Sequence, residues 1–290
     1  MTLEQLRIFV AVAERQHVTR AAEAINVTQS AASNAIAALE ARHRVPLFHR
    51  VGRRIELTEA GTMFLGEARA VLGRASAAEL ALAEYGELKR GTLRVVASQT
   101  IASYWLPAKL SKFHARHPQI SIELSIDNTE GAARRVLEGT AELGLVEGVI
   151  DEPALAAWTV GEDRMLLVSA SVVETVDPDW VRSARWIVRE QGSGTRSTFE
   201  DVLRDQGVDP RELKIAMVMP SNEAVRSAVE SGSGVAVLSE LVVRRALAAG
   251  DLRALPFLMP ARPFHALRHK ERYRTRAADA MTDLLKEKHQ

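Results

Sequence analysis

The sequence contains no cysteine, which excludes disulfides and thiolate metal sites and makes an oxidising compartment unnecessary. Long apolar runs are also missing, and no window approaches the roughly 20 residues of a membrane span. The N-terminal periodicity is broken by Glu4, Arg7 and Glu14, so it lacks the basic flank and apolar core of a secretory signal. A soluble, cytoplasmic protein with no membrane partner is expected. Charge of one sign is not in excess: 38 Lys and Arg against 37 Asp and Glu give +1. Any nucleic-acid role must therefore rest on a local cluster. The histidines at 17, 43, 49, 114, 117, 265, 269 and 289 are scattered. None belongs to a metal motif or a nucleophile elbow, so no catalytic residue, metal site or cofactor is expected and an enzyme is disfavoured.

What is present is enough for two or three folded units: 290 residues, 47% of them hydrophobic. Leu3, Leu6, Phe9, Val10 and Ala13 recur at helical spacing, predicting a helix over residues 2–14. A second helix follows over Val18-Thr-Arg-Ala-Ala-Glu-Ala-Ile25, with Thr19 as its expected cap and Ala21, Ala22 and Ile25 inward. Asn26 stands where the turn calls for a left-handed residue. Thr28 caps a third helix whose inward face is Ala31, Ala32, Ala35, Ile36 and Leu39. This is a helix-turn-helix. The outward start of the third helix, Thr28, Gln29, Ser30, Ser33 and Asn34, carries short or forked hydrogen-bonding groups suited to base edges and phosphates.

The local charge cluster comes next. Between Ala41 and Ile55 there are five arginines, two histidines and no acid. Val45-Pro-Leu-Phe48 is expected to pack back on the module, and Arg50, Arg53 and Arg54 to form a wing along phosphates or in the minor groove. A solvated basic loop is the alternative, and the position just after a helix-turn-helix disfavours it.

Leu-Arg-Ile-Phe-Val, Ala-Ala-Glu-Ala-Ile, Gln-Ser-Ala-Ala-Ser, Val-Pro-Leu-Phe-His-Arg and Leu57-Thr-Glu-Ala-Gly61, in that order, resemble the winged helix-turn-helix of LysR-type transcriptional regulators. Arg44 departs from the glycine common there; in a left-handed conformation it would cost on the order of 1 kcal/mol. From Thr58 onward, Gly61, Phe64, Ala68, Val71, Ala75, Ala78, Leu82 and Tyr85 form a heptad seam. A single helix packing on its own domain would give the same pattern. The resemblance implies a linker helix pairing antiparallel in a homodimer or homotetramer, with double-stranded DNA as partner and RNA polymerase as a candidate partner.

After Gly91 short β-rich runs alternate with helical ones, an α/β pattern. Two open sheets are expected, with chain crossings near Gly161–Arg164 and Arg262–His265. The expected architecture is thus an all-α winged helix-turn-helix (residues 1–58), a long linker helix (59–90) and an α/β two-lobed effector domain (91–290). Lobe I would hold about 91–162 and 265–290, and lobe II about 163–264. The resemblance implies a fold like that of periplasmic binding proteins, with a cleft between lobes.

Ligands of such sheets sit beyond strand carboxyl ends, against helix N-termini. Two segments fit: Ser98, Thr100, Ile101 and Ala102 after the first strand, and Arg189-Glu-Gln-Gly-Ser-Gly194-Thr195-Arg196. The second reads as an anion nest, with Thr195 as hydroxyl and cap and Arg196 as guanidinium. A plain strand-to-helix turn is the alternative; no phosphate P-loop lysine follows. Asn222 and Glu147 are placed at the same cleft. Glu147 would oppose an anion unless it accepts a ligand proton or pairs with an arginine. This segment resembles the family branch of sulfur- and carbon-assimilation regulators, which implies a small anionic effector: sulfite-like, or a small carboxylate or phosphate metabolite. A solute-binding protein for transport would need export, for which no signal is seen.

Overall fold

The computed structural model describes residues 1–51, 54–85, 91–148 and 150–287. The chain divides into two units, Met1–Leu88 with Leu137–Thr140, and Lys89–Val136 with Ala141–Gln290.

The first unit opens with α1 (Leu3–Arg15), held by a reciprocal box: the Thr2 hydroxyl accepts from Gln5 N at 3.2 Å and Gln5 Oε1 accepts from Thr2 N at 3.0 Å. Helix α2 (Val18–Ala24) starts at Val18, two residues before a Thr19 cap would allow. Its cap is His17, whose Nδ1 accepts from Arg20 N, and Thr19 lies inside the helix. Asn26 is left-handed, with φ 56°. Helix α3 (Gln29–His43) is capped by Thr28, and its carboxyl end is Arg44 at φ 54°, the strained conformation anticipated for that position. Ala32, Ile36 and Leu39 are buried and Ala35 is partly so, whereas Ala31 is exposed.

Strands β1 (Phe48–Val51) and β2 (Arg54–Leu57) form an antiparallel ribbon, so the module is helical with one β wing. The ribbon is tied down by Glu40 of α3, whose Oε1 accepts from Leu47 N at 2.7 Å and Phe48 N at 3.1 Å. Leu47 is buried, but Val45 is exposed rather than packed back. Helix α4 (Glu59–Tyr85) begins at Thr58, whose hydroxyl accepts from Gly61 N at 2.9 Å. Its first turns join a core of Leu6, Phe9, Leu39 and Leu47, through Phe64 and the buried Ala68. Farther along, Val71 and Leu82 are exposed.

The second unit is one sheet with helices on it. Its elements are β3 (Gly91–Ser98), α5 (Leu106–Arg116), β4 (Ile120–Asp127), α6 (Thr129–Glu138), β5 (Leu143–Glu147) and β6 (Leu155–Ser169). Next come α7 (Pro178–Ser183), β7 (Arg185–Arg189), α8 (Gly194–Asp205), β8 (Lys214–Met219), α9 (Asn222–Glu230) and β9 (Val235–Ser239). The chain ends with α10 (Glu240–Ala249), β10 (Arg253–Ala254), β11 (Ala261–His269) and α11 (Arg276–Lys286).

Hydrogen-bonded strands run in the order β4-β3-β5-β11-β6-β9-β7-β8, with β10 on β6. The expectation of two separate sheets is corrected here: β6 pairs with β11 as far as Arg164 and with β9 from Met165, so the ladder passes through both lobes. These two strands are the crossings, and Arg262 stands opposite Asp163 where they meet. One core, around Leu93, Phe113, Leu145 and Phe264, serves lobe I. Two others, around Trp186 and Phe199 and around Ile187 and Leu238, flank the lobe II strands. Between β3 and α5 the residues Ile101–Trp105 form a π turn. Pro107 has no N–H to continue the ordinary ladder, and such turns recur at functional sites.

Candidate nucleic-acid interface and interlobe site

Gln29, Ser30 and Asn34 are exposed at the start of α3, and Ser33 is half-buried. Gln29 Nε2 donates to Ser33 Oγ at 3.1 Å, and Ser30 Oγ lies 3.1 Å from Thr28 Oγ1. Exchanging such exposed local bonds for bonds to bases costs little. The free N–H groups of the first turn add a preference for phosphate. Of the wing arginines, Arg50 pairs across the ribbon with Ile55, and Arg54 with Val51. Arg53 lies outside the described residues.

In the second unit β3 and β5 are parallel neighbours, in register as far as Ala97 opposite Leu145, and they end at Ser98 and Glu147. The start of α8 faces them. A Cβ on Gly194 would lie 2.6 Å from the Glu147 carbonyl oxygen and 2.6 Å from Thr129 Oγ1. Contacts sew the two lobes along this seam. Asn222 N donates to Gln99 Oε1 at 2.7 Å, and Asn222 Nδ2 to Thr100 Oγ1 at 3.0 Å. Asn128 Nδ2 donates to Gln191 O at 3.2 Å, and Tyr104 OH to Glu223 Oε1 at 2.9 Å. Within lobe II, Arg189 Nη1 donates to Asn222 Oδ1 at 2.6 Å while the same guanidinium grips Glu190.

At the centre is Arg262, 1% exposed. Its Nη2 is bonded to Asp163 Oδ2 and lies 3.8 Å from Glu147 Oε1, and its Nη1 donates to Thr195 Oγ1 at 3.2 Å. Ser239 Oγ donates to Asp163 Oδ1 at 2.8 Å. Burial pushes the Asp163 carboxyl above the ordinary aspartate range, against the pull of Arg262 and Ser239. Three buried atoms here have no protein hydrogen-bond partner: Ser98 Oγ, Glu147 Oε1 and Arg262 Nε.

Ser98, Thr100, Glu147, Gly194, Thr195 and Asn222 thus converge on the seam, and three expectations are corrected. Ile101 and Ala102, at the start of the π turn, have their side chains in the lobe I core. Arg196 has its guanidinium already engaged: one helical turn on Glu200 offers its carboxylate at 2.7 Å, and Arg189 O accepts at 3.2 Å. Thr195 is the second residue of α8, so it does not cap the helix; Ser193 holds the cap position, without a side-chain bond. Sequence reasoning missed Arg262, Asp163 and Thr129. The available signal was a lone Arg and a lone Asp inside the two segments marked as chain crossings.

Residues 3–62 match the model of bacterial regulatory helix-turn-helix proteins of the lysR family, and residues 86–290 match the LysR substrate binding domain. A probable RuBisCO transcriptional regulator of Trichormus variabilis is 32% identical over 97% of this chain and 86% of its own length. The uncharacterized HTH-type transcriptional regulator YeiE of Escherichia coli K12 is 31% identical over 98% of this chain and 96% of its own. The crystal structure of CbnR, a LysR family transcriptional regulator, shares the fold, with a TM-score of 0.69 at 21% identity over 98% of each chain. All three bear the names of transcriptional regulators. No helix among the described residues is long and apolar enough to cross a membrane. The chain belongs to the LysR family of transcriptional regulators, with a helix-turn-helix DNA-binding module and a two-lobed effector-binding domain.

Proposed function

We propose that this regulator is switched by a small anionic metabolite held in the interlobe seam. The observation that carries the proposal is the group of three buried, unpartnered polar atoms on Ser98, Glu147 and Arg262. Such orphans are costly unless something else satisfies them, and they sit where open α/β sheets bind ligands. Arg262 supplies the positive charge that Arg196 was expected to supply. Ser98, Thr100, Thr195 and Asn222 supply neutral hydrogen bonds. A ligand that bridges the lobes favours one lobe spacing, and a tenfold preference for that spacing shifts the balance by about 1.4 kcal/mol.

On the DNA side, Thr28, Gln29, Ser30, Ser33 and Asn34 read bases and phosphates, and Arg50, Arg53 and Arg54 hold the backbone. The exposed Val71 and Leu82 of α4 continue the heptad seam and support pairing of α4 with a second copy, in a dimer or a dimer of dimers. CbnR has been crystallised with its target DNA, and an equivalent complex, with RNA polymerase as a further partner, belongs to this proposal, as does a cytoplasmic location. The domain limits 1–58, 59–90 and 91–290, and the lobe limits within the last, belong to it as well. The RuBisCO regulators among its relatives favour carbon over sulfur assimilation as the context.

Arg53→Ala tests the DNA side. A mobility shift of the chain's own promoter-proximal DNA should show several-fold weaker binding, and the slope of log affinity against log salt should fall by about 1. An unchanged affinity and slope would remove the wing from the interface.

A further inference from the structure

The interlobe site has more negative than positive side chains. Arg262 and Arg189 face Asp163, Glu147 and Glu190, two guanidiniums against three carboxylates. A bare anion entering here adds to that excess. The orphan atoms also differ in kind: Arg262 Nε can only donate, Ser98 Oγ can do either, and Glu147 Oε1, on a side chain 3% exposed, can only accept as a carboxylate. Arg262 does not serve Glu147 Oε1, because its Nη2 is committed to Asp163 and stands 3.8 Å away. The Thr129 hydroxyl is spent on the Glu147 main-chain oxygen at 3.0 Å.

We propose that the effector must carry its own hydrogen-bond donor for Glu147, beside the anionic oxygen that takes Arg262 Nε–H and the Ser98 hydroxyl. The class is a proton-bearing small anion, such as a protonated oxyanion or a hydroxycarboxylate; aprotic anions of the same size are rejected. This rests on the interlobe-effector reading above and narrows it. Glu147 is the specificity-determining group. An anion without a donor leaves it desolvated and without a hydrogen bond against an anionic oxygen, whereas a donor turns that repulsion into a charge-assisted hydrogen bond.

Two matched pairs test this on the full chain by calorimetric titration at pH 7.5: hydrogenphosphate against sulfate, and lactate against propionate. Each pair differs by one proton-bearing oxygen. In wild type the donor-bearing member should bind at least about a hundredfold more tightly in one of the pairs, since a missing partner for a buried polar group discriminates steeply. Glu147→Gln offers an N–H where the carboxylate accepted, so the aprotic member should gain at least about tenfold and the ratio should collapse. The wild-type ratio stands alone should the variant fold poorly. Equal binding of both members by wild type, an unchanged ratio in Glu147→Gln, or no binding in either pair would each overturn the proposal. Stabilisation by some aprotic carboxylate, lost in Thr195→Val, would overturn the donor requirement while leaving the interlobe site standing.

Discussion

Arg262→Met is expected to destabilise the C-terminal unit by about 3–5 kcal/mol at neutral pH, the usual cost of deleting one partner from a buried ion pair. Among the described residues Arg262 is the one guanidinium within 4.0 Å of both Asp163 and Glu147, and methionine preserves volume without charge. The effect should depend on pH in a defined sense. Asp163 has a raised value in the folded state because burial outweighs its partners. It therefore contributes stability that is fully present below the ordinary aspartate range and is lost as pH rises through the raised folded value. Without Arg262 the folded value rises further, so the variant's deficit should be large at pH 7.5 and shrink toward pH 5. Urea unfolding at the two pH values measures this. A deficit of equal size at both would assign the loss to packing instead of charge. Arg262→Met combined with Asp163→Asn should recover much of the loss, because the stranded carboxylate is gone.

The N-terminal module was legible because its signals are local. Thr28 caps where its position says it should, and Asn26 turns where a left-handed residue was required. Both of these act within four residues. Even so, His17 displaced Thr19 as a cap, because an imidazole nitrogen accepts as well as a hydroxyl does. The effector site was half legible. Strand ends and glycines mark the rim at Ser98, Glu147 and Gly194, but its centre is Arg262, which lies 115 positions from Glu147 in sequence and meets it only through the β5–β11 pairing. Arg196 was misplaced for a related reason. The choice between the seam and Glu200 is settled by a competing i,i+4 carboxylate on the same helix, and side-chain competition of that kind has no period in the sequence.

Gly61→Val should unfold the N-terminal unit selectively. A Cβ at Gly61 would lie 2.1 Å from the Leu47 carbonyl oxygen and 2.9 Å from Leu57 Cδ2. The first of these is backbone, held in place by Leu47 N donating to Glu40 and by Thr58 N donating to Leu47 O at 3.0 Å, so it cannot swing aside. Valine adds further bulk, and the first turn of α4 must lift from the base of the wing. Overpacking of this kind costs about 3 kcal/mol or more. Calorimetry should show the N-terminal transition lowered or absent and the C-terminal one unmoved, with DNA affinity down by more than about tenfold. Wild-type melting and DNA binding in Gly61→Val would mean that α4 does not seat against the wing as described.

The most direct test of the seam as the switch is a melting-temperature screen of small anions on wild type and Thr195→Val in parallel. Thr195 accepts from Arg262 at 3.2 Å in the middle of the site, and valine keeps its shape without the hydroxyl. An anion present at a hundred times its dissociation constant adds about 2.7 kcal/mol, which for a unit of this size raises the midpoint by about 5–10 °C. At least one small anion should do this to wild type and alter its affinity for promoter DNA, while Thr195→Val binds DNA normally and shows no shift. An equal shift in both proteins, or the loss of DNA binding with the shift intact, would contradict the assignment of sensing to the seam.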